Sequence, residues 1–166
     1  MKLSFHDELT SKVDAKGRVS IPAAHRAVFA AGDPDCVDGK NPIIKLIHSF
    51  SHEHCLRAFT VEAYAEIQAT IEDMDAGPER DQASKKLIHK ASTIQIDDNG
   101  RIILRKDIRE RFDIGASAVF VGSTNHMQIW DQTIYQADDD DEKINPFMLL
   151  NSARRKAKSG AENGND

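Results

Sequence analysis

Two short stretches carry the residue types from which a binding site could be built. Asp14-Ala15-Lys16-Gly17-Arg18 and Asp97-Asp98-Asn99-Gly100-Arg101 each begin with an aspartate and end with glycine then arginine. A carboxylate at the first position accepts from backbone amides two residues on, and glycine supplies the positive φ that a three-residue hairpin with a bulge needs. Asp14, Gly17, Asp97 and Gly100 therefore read as turn-forming residues. Nothing in such a turn requires a cation after the glycine. Arg18 and Arg101, with Lys16 beside the first, read as anion contacts in preference to local partners of Asp14 and Asp97, though both roles fit the spacing.

A second cluster, His48, His52, His54 and Cys55, holds competent zinc ligands, but its His-x-x-x-His-x-His-Cys spacing lacks paired Cys-x-x-Cys elements. It reads as a polar loop entering a strand, with no metal expected. No Gly-rich phosphate loop, nucleophile elbow or metal-binding pair points to an enzyme, a small-molecule substrate or a cofactor. Cys36 and Cys55 read as reduced thiols.

The elements that must position the two turns form an internal repeat. Residues 11–29 lie over residues 94–112 without a gap, at an offset of 83. Asp14/Asp97, Gly17/Gly100, Arg18/Arg101, Arg26/Arg109 and Phe29/Phe112 are identical, and Val13/Ile96, Val19/Ile102 and Ile21/Leu104 are conservative. Apolar residues alternate on both sides of each turn, which predicts a β-hairpin leading into a helix. Arg26 and Arg109, recurring on those helices, join the candidate anion contacts. Residues 43–47, 55–59, 118–122 and 127–130 read as strands, the last two joined by Ser123-Thr124-Asn125-His126. Phe120 and Trp130 within them read as core anchors. Val61, Tyr64, Ile67, Ile71 and Met74 recur at helical spacing behind Thr60 as N-cap, predicting a helix over 61–75, and Ala83, Leu87, Ile88 and Ala91 predict another over 80–91.

With 166 residues, 40% hydrophobic and 30% charged, the chain is long enough for one domain or two small ones with a real core. It shows no membrane-span pattern and no signal-peptide pattern, so a cytoplasmic protein is expected. Its net charge of −5 is misleading. The run Asp138–Glu142 accounts for all of it, and residues 84–111 carry eight basic against four acidic residues. A locally basic stretch can face phosphate although the whole chain is acidic. Composition alone favours a solvated mixed-charge surface there, and the repeat shifts the weight toward phosphate. Beyond the acidic run, Asn145 and Pro146 suit the start of a short helix, while composition past Lys158 predicts disorder. Loss of residues 145–166 is expected to leave folding and assembly intact.

The two Asp-x-x-Gly-Arg turns at this spacing, together with Val121-Gly122-Ser123-Thr124-Asn125-His126-Met127-Gln128-Ile129-Trp130-Asp131, resemble the MraZ family of bacterial transcriptional regulators over about residues 1–136. The second copy departs in having Asn99 for Lys16 and Arg105 for Pro22. The resemblance implies an α+β fold in which two SpoVT/AbrB-like domains, 8–58 and 91–134, are swapped-hairpin β-barrel halves of an intrachain pseudo-dimer. A helical connector, 59–90, would separate them, and an acidic run with a disordered tail, 135–166, would follow. It implies no cofactor, a ring-shaped homo-oligomer, and nucleoid-associated binding of double-stranded DNA at direct repeats upstream of the division and cell wall gene cluster. Lys16, Arg18, Arg26, Arg101 and Arg109 would be the DNA contacts. The rivals are a general nucleoid protein and an antitoxin of the MazE type, in which one half-domain precedes a toxin-wrapping tail; two copies fit the latter poorly.

Overall fold

The computed structural model describes residues 3–49, 53–137 and 145–164. Its strands are β1 (Glu8–Lys12), β2 (Arg18–Ser20), β3 (Ile43–Ile47), β4 (Leu56–Phe59), β5 (Ala91–Gln95), β6 (Arg101–Ile103), β7 (Ser117–Gly122) and β8 (Met127–Asp131). Its helices are α1 (Ala23–Ala31), α2 (Val61–Asp73), α3 (Pro78–Leu87), α4 (Lys106–Arg111), α5 (Gln132–Ala137) and α6 (Pro146–Glu162). The fold is mixed α+β, with antiparallel sheets and helices on them. No helix among the described residues is long and apolar enough to cross a membrane.

The main sheet interleaves two sequential hairpins, β3–β4 and β7–β8, with strands drawn from the other copy. Its order is β1-β7-β8-β4-β3-β5, so β1 of the first copy pairs with β7 beyond the second, and β5 of the second pairs with β3 beyond the first. The short strands β2 and β6, one from each copy, form a two-stranded sheet of their own. The hairpins read from the sequence are accordingly open. Strands β1 and β2 share the single bridge Val13↔Val19 before they diverge. Burial supplies the reason: pairing β2 with β6 puts Val19 and Ile102 at the centre, each 1% exposed, while β1 gains a five-residue ladder with β7.

The repeat also builds the core. Val13/Ile96, Val19/Ile102, Ile21/Leu104 and Phe29/Phe112 all lie in one buried cluster, joined by Ile44, Leu56, Phe120 and Ile129 from the far strands. Truncating either phenylalanine to alanine would cost about 3–5 kcal/mol through lost burial and the cavity left behind. A smaller cluster of Ile47, Phe59 and Tyr64 carries the helical segment, with Ile67, Leu87 and Ile88 against it. Thr60 caps α2 as expected, accepting from the Ala63 amide. Helix α3 stops at Leu87, and Ala91, expected on its face, instead opens β5 opposite Ile47. Phe120 and Trp130 are buried, and the Trp130 indole donates to Gln128 at 2.9 Å. Helix α6 begins on Pro146 behind an Asn145 cap and runs on to Glu162, beyond the disorder expected past Lys158. The acidic run lies outside the described residues.

Candidate nucleic-acid interface

Each turn is built by its aspartate. Oδ1 of Asp14 accepts from the amides of Lys16 (3.0 Å) and Arg18 (2.9 Å), and Oδ1 of Asp97 accepts from those of Asn99 (2.9 Å) and Arg101 (2.9 Å). Backbone bonds close both loops, from the Gly17 amide to Asp14 (3.0 Å) and from the Gly100 amide to Asp97 (2.9 Å). The glycines take φ of +82° and +75°, the left-handed region that side chains with a Cβ avoid. The amide of Arg18 on Asp14, and its guanidinium next, hold that carboxyl below the usual range; the Arg101 amide does the same for Asp97.

The arginines turn back onto these carboxylates. Arg18 Nε donates to Asp14 Oδ2 at 2.6 Å, and Arg101 Nε lies 3.5 Å from Asp97 Oδ2. The local Asp-Arg pair, the less favoured of the two roles read from the spacing, is therefore present. Both side chains stay about one-third exposed, at 38% and 33%, which leaves the guanidinium accessible to an anion.

Pairing of β2 with β6 fixes where they point. Val19 faces Ile102 inward, and side chains alternate along a strand. Arg18, Ser20, Arg101 and Ile103 must therefore share the outward face, and Ile103 is 56% exposed there. Arg18 lies opposite Ile103, and Arg101 opposite Ser20. Strand rise and spacing put the two arginine Cα atoms about 8 Å apart on a diagonal. Lys16 is exposed at one tip and neutral Asn99 at the other.

Arg26 and Arg109 sit elsewhere, across the copies. A Cβ on Gly17 would collide with the Leu104 carbonyl oxygen and lie 2.9 Å from Arg109 Nε; one on Gly100 would collide with an Arg26 guanidinium nitrogen. Arg109 Nε donates to the Leu104 carbonyl at 3.0 Å, whose own amide donates to Gly17 at 2.8 Å. The mirror bond, Ile21 amide to Gly100, is 2.9 Å. Each helix arginine thus covers the turn of the other copy. The repeat exposed these residues, but sequence reasoning missed which turn they touch, as it missed Ser20 and Ile103 on the outward face.

The basic stretch 84–111 is largely engaged. Arg105 bonds Asp107, Lys106 lies 3.8 Å from Glu110, and Arg111 donates to the His48 carbonyl at 2.8 Å. Lys85, Lys86 and Lys90 are exposed. Of the histidine cluster, His48 is buried against Ser92, His54 lies 3.3 Å from Asp113, and Cys55 is a buried thiol outside any disulfide. His52 lies outside the described residues. Burial, then Arg111, pushes the His48 imidazole below its ordinary range.

Residues 87–148 match the family model for MraZ protein, whose description adds that it is antitoxin-like. Among curated relatives, a Ruegeria pomeroyi protein named "Transcriptional regulator MraZ" is 31% identical over 140 residues, 84% of each chain. A Cereibacter sphaeroides protein of that name is 34% identical over 146 residues, covering 83% of this chain and 86% of its own. This chain belongs to the MraZ family. The MraZ model spans the second turn with Asp97 and Arg101, α4 with Arg109, and the β7–β8 hairpin. A third MraZ relative, from Parvibaculum lavamentivorans, is 34% identical over 81% of this chain and 80% of its own.

Proposed function

We propose that this MraZ-family protein is a sequence-specific DNA-binding transcriptional regulator. It represses the bacterial division and cell wall gene cluster by binding direct repeats in its own promoter region, as a nucleoid-associated, cytoplasmic ring of identical chains. It acts by binding, without catalysis or cofactor. The relatives' shared name supports the regulatory role. Cross-copy strand pairing supports reading the chain as two AbrB-like halves, each completed by strands of the other. The observation that carries the DNA reading is the β2–β6 ribbon, with Arg18 and Arg101 on its outward face. A two-stranded ribbon fits the major groove of B-DNA, where guanidinium groups reach phosphates or guanine edges.

Selection of bound fragments from random and genomic DNA tests this. Enrichment of closely spaced direct repeats upstream of division genes is the expected outcome. Binding indifferent to sequence would leave a general nucleoid protein instead.

A further inference from the structure

Helix α6 and the groove between α1 and α2 are complementary surfaces that a single chain leaves apart. Every described residue of α6 is exposed, including Phe147 (72%), Met148 (67%), Leu149 (59%) and Leu150 (51%). Leu149, Leu150, Ala153, Ala157 and Ala161 recur at three and four residues and share one side of the helix. Contiguous exposed apolar groups of this kind mark interaction surfaces. Elsewhere a cavity of about 840 Å³ opens beside the C-terminal end of α1 and the first half of α2, with Phe5, Val28, Ala63 and Ile67 in its wall and Glu62 and Glu66 on it.

Charge separates the two surfaces in the same sense. Helix α2 carries Glu62, Glu66, Glu72 and Asp73 and no basic residue, whereas α6 carries Arg154, Arg155, Lys156 and Lys158 against Glu162. The apolar start of α6 suits the cavity, and its basic stretch suits the acidic helix beside it. Helical rise places Arg154 about 10 Å beyond Phe147. A helix laid parallel to α2 with Phe147 at Ala63 therefore brings Arg154 alongside Thr70 and Lys158 beside Asp73.

We propose that α6 of one copy seats in the α1–α2 groove of a second copy, apolar turn in the cavity and basic stretch along α2. The occupant is a second copy because the chain's own α6 stands fully exposed. Groove and helix are different surfaces, so the contact is heterologous and can pass from copy to copy until it closes into a ring. It rests on the reading that the chain self-associates, names the surface that does it, and revises the composition-based expectation that residues 145–166 are dispensable for assembly.

The test is light scattering on the full chain and on the double variant Leu149→Asp/Leu150→Asp. The expected result is an oligomer whose mass falls at least twofold in the variant, at unchanged melting temperature, because neither leucine lies in the core. Asp73→Lys should weaken assembly, and adding Lys158→Glu should restore it. Ala63→Cys on one tagged copy and Phe147→Cys on a differently tagged copy should crosslink between tags. An oligomer of unchanged mass in the leucine variant, or, with both cysteines on one chain, crosslinks confined within it, would overturn the α6 contact alone. A wild-type monomer at micromolar concentration would overturn self-association itself, and the contact with it.

Discussion

A single carboxylate organises each tip and also occupies the arginine that would meet DNA. Asp14 accepts two amides and the Arg18 guanidinium, so Arg18 is both a turn partner and the candidate phosphate contact. Replacement by alanine separates the roles. Arg18→Ala should leave the amide bonds and the fold in place, weaken DNA binding on the order of tenfold or more, and lower the salt slope by about one. Affinity measured over a salt series, with melting temperature alongside, checks this; a melted protein with unchanged slope would make Arg18 purely structural and move the search to Lys85, Lys86 and Lys90. Arg101→Ala should cost less, since Asn99 replaces Lys16 beside it. The glycines differ as well. A methyl on Gly17 meets the Leu104 backbone oxygen, which cannot yield, whereas one on Gly100 meets the tip of the Arg26 side chain, which can swing away. Both substitutions strain a positive φ. Gly17→Ala should therefore lower the melting temperature more than Gly100→Ala, by thermal unfolding of the two variants.

Among the elements, helices α1 and α4 act crosswise: Arg109 reaches the first turn and Arg26 the second. Arg109→Ala should lower the melting temperature and loosen the Gly17 turn while leaving the salt slope of DNA binding unchanged. Amide exchange at Leu104, whose amide bonds Gly17, reads the loosening, and a slope reduced by one at full protection would instead make Arg109 a phosphate contact. Much of this was legible in the residues. Asp and Gly announced the turns because their chemistry is local, and the strands read at 118–122 and 127–130 and the helix read over 61–75 found β7, β8 and α2 to within two residues. Pairing was not legible. Val13 and Val19 alternate as any hairpin would, and only the shared core shows that their strands part after one bridge. The repeat identified Arg26 and Arg109 as equivalents, but equivalence is blind to which copy each touches. Ala91 ended up in β5 because its ladder to Ile47 outweighed its place on a helical face.

For the whole molecule, acid should be destabilising well before the carboxylates titrate. Burial is the first cause that lowers both the His48 and the His126 imidazole, with Arg111 and Arg57 respectively adding repulsion. Above about pH 6.5 both states hold these rings neutral, and below it the unfolded chain takes protons that the folded one resists. Stability is therefore full above that pH and falls as pH drops. Asp14 and Asp97, also lowered, add a further loss once pH falls through the carboxylate range. Melting temperature should drop between pH 7.5 and 5.5, and His48→Gln should flatten part of that dependence in a series of thermal melts. The strand order carries a different consequence, for synthesis on the ribosome. Lys12 at the end of β1 pairs with Ser117, so the first strand waits for more than a hundred further residues. At about 5–20 residues per second that delay lasts roughly 5–20 s. During it the nascent N-terminal half displays strand edges with no partner, and its fate depends on what shields them until the ribosome delivers residues 117–122.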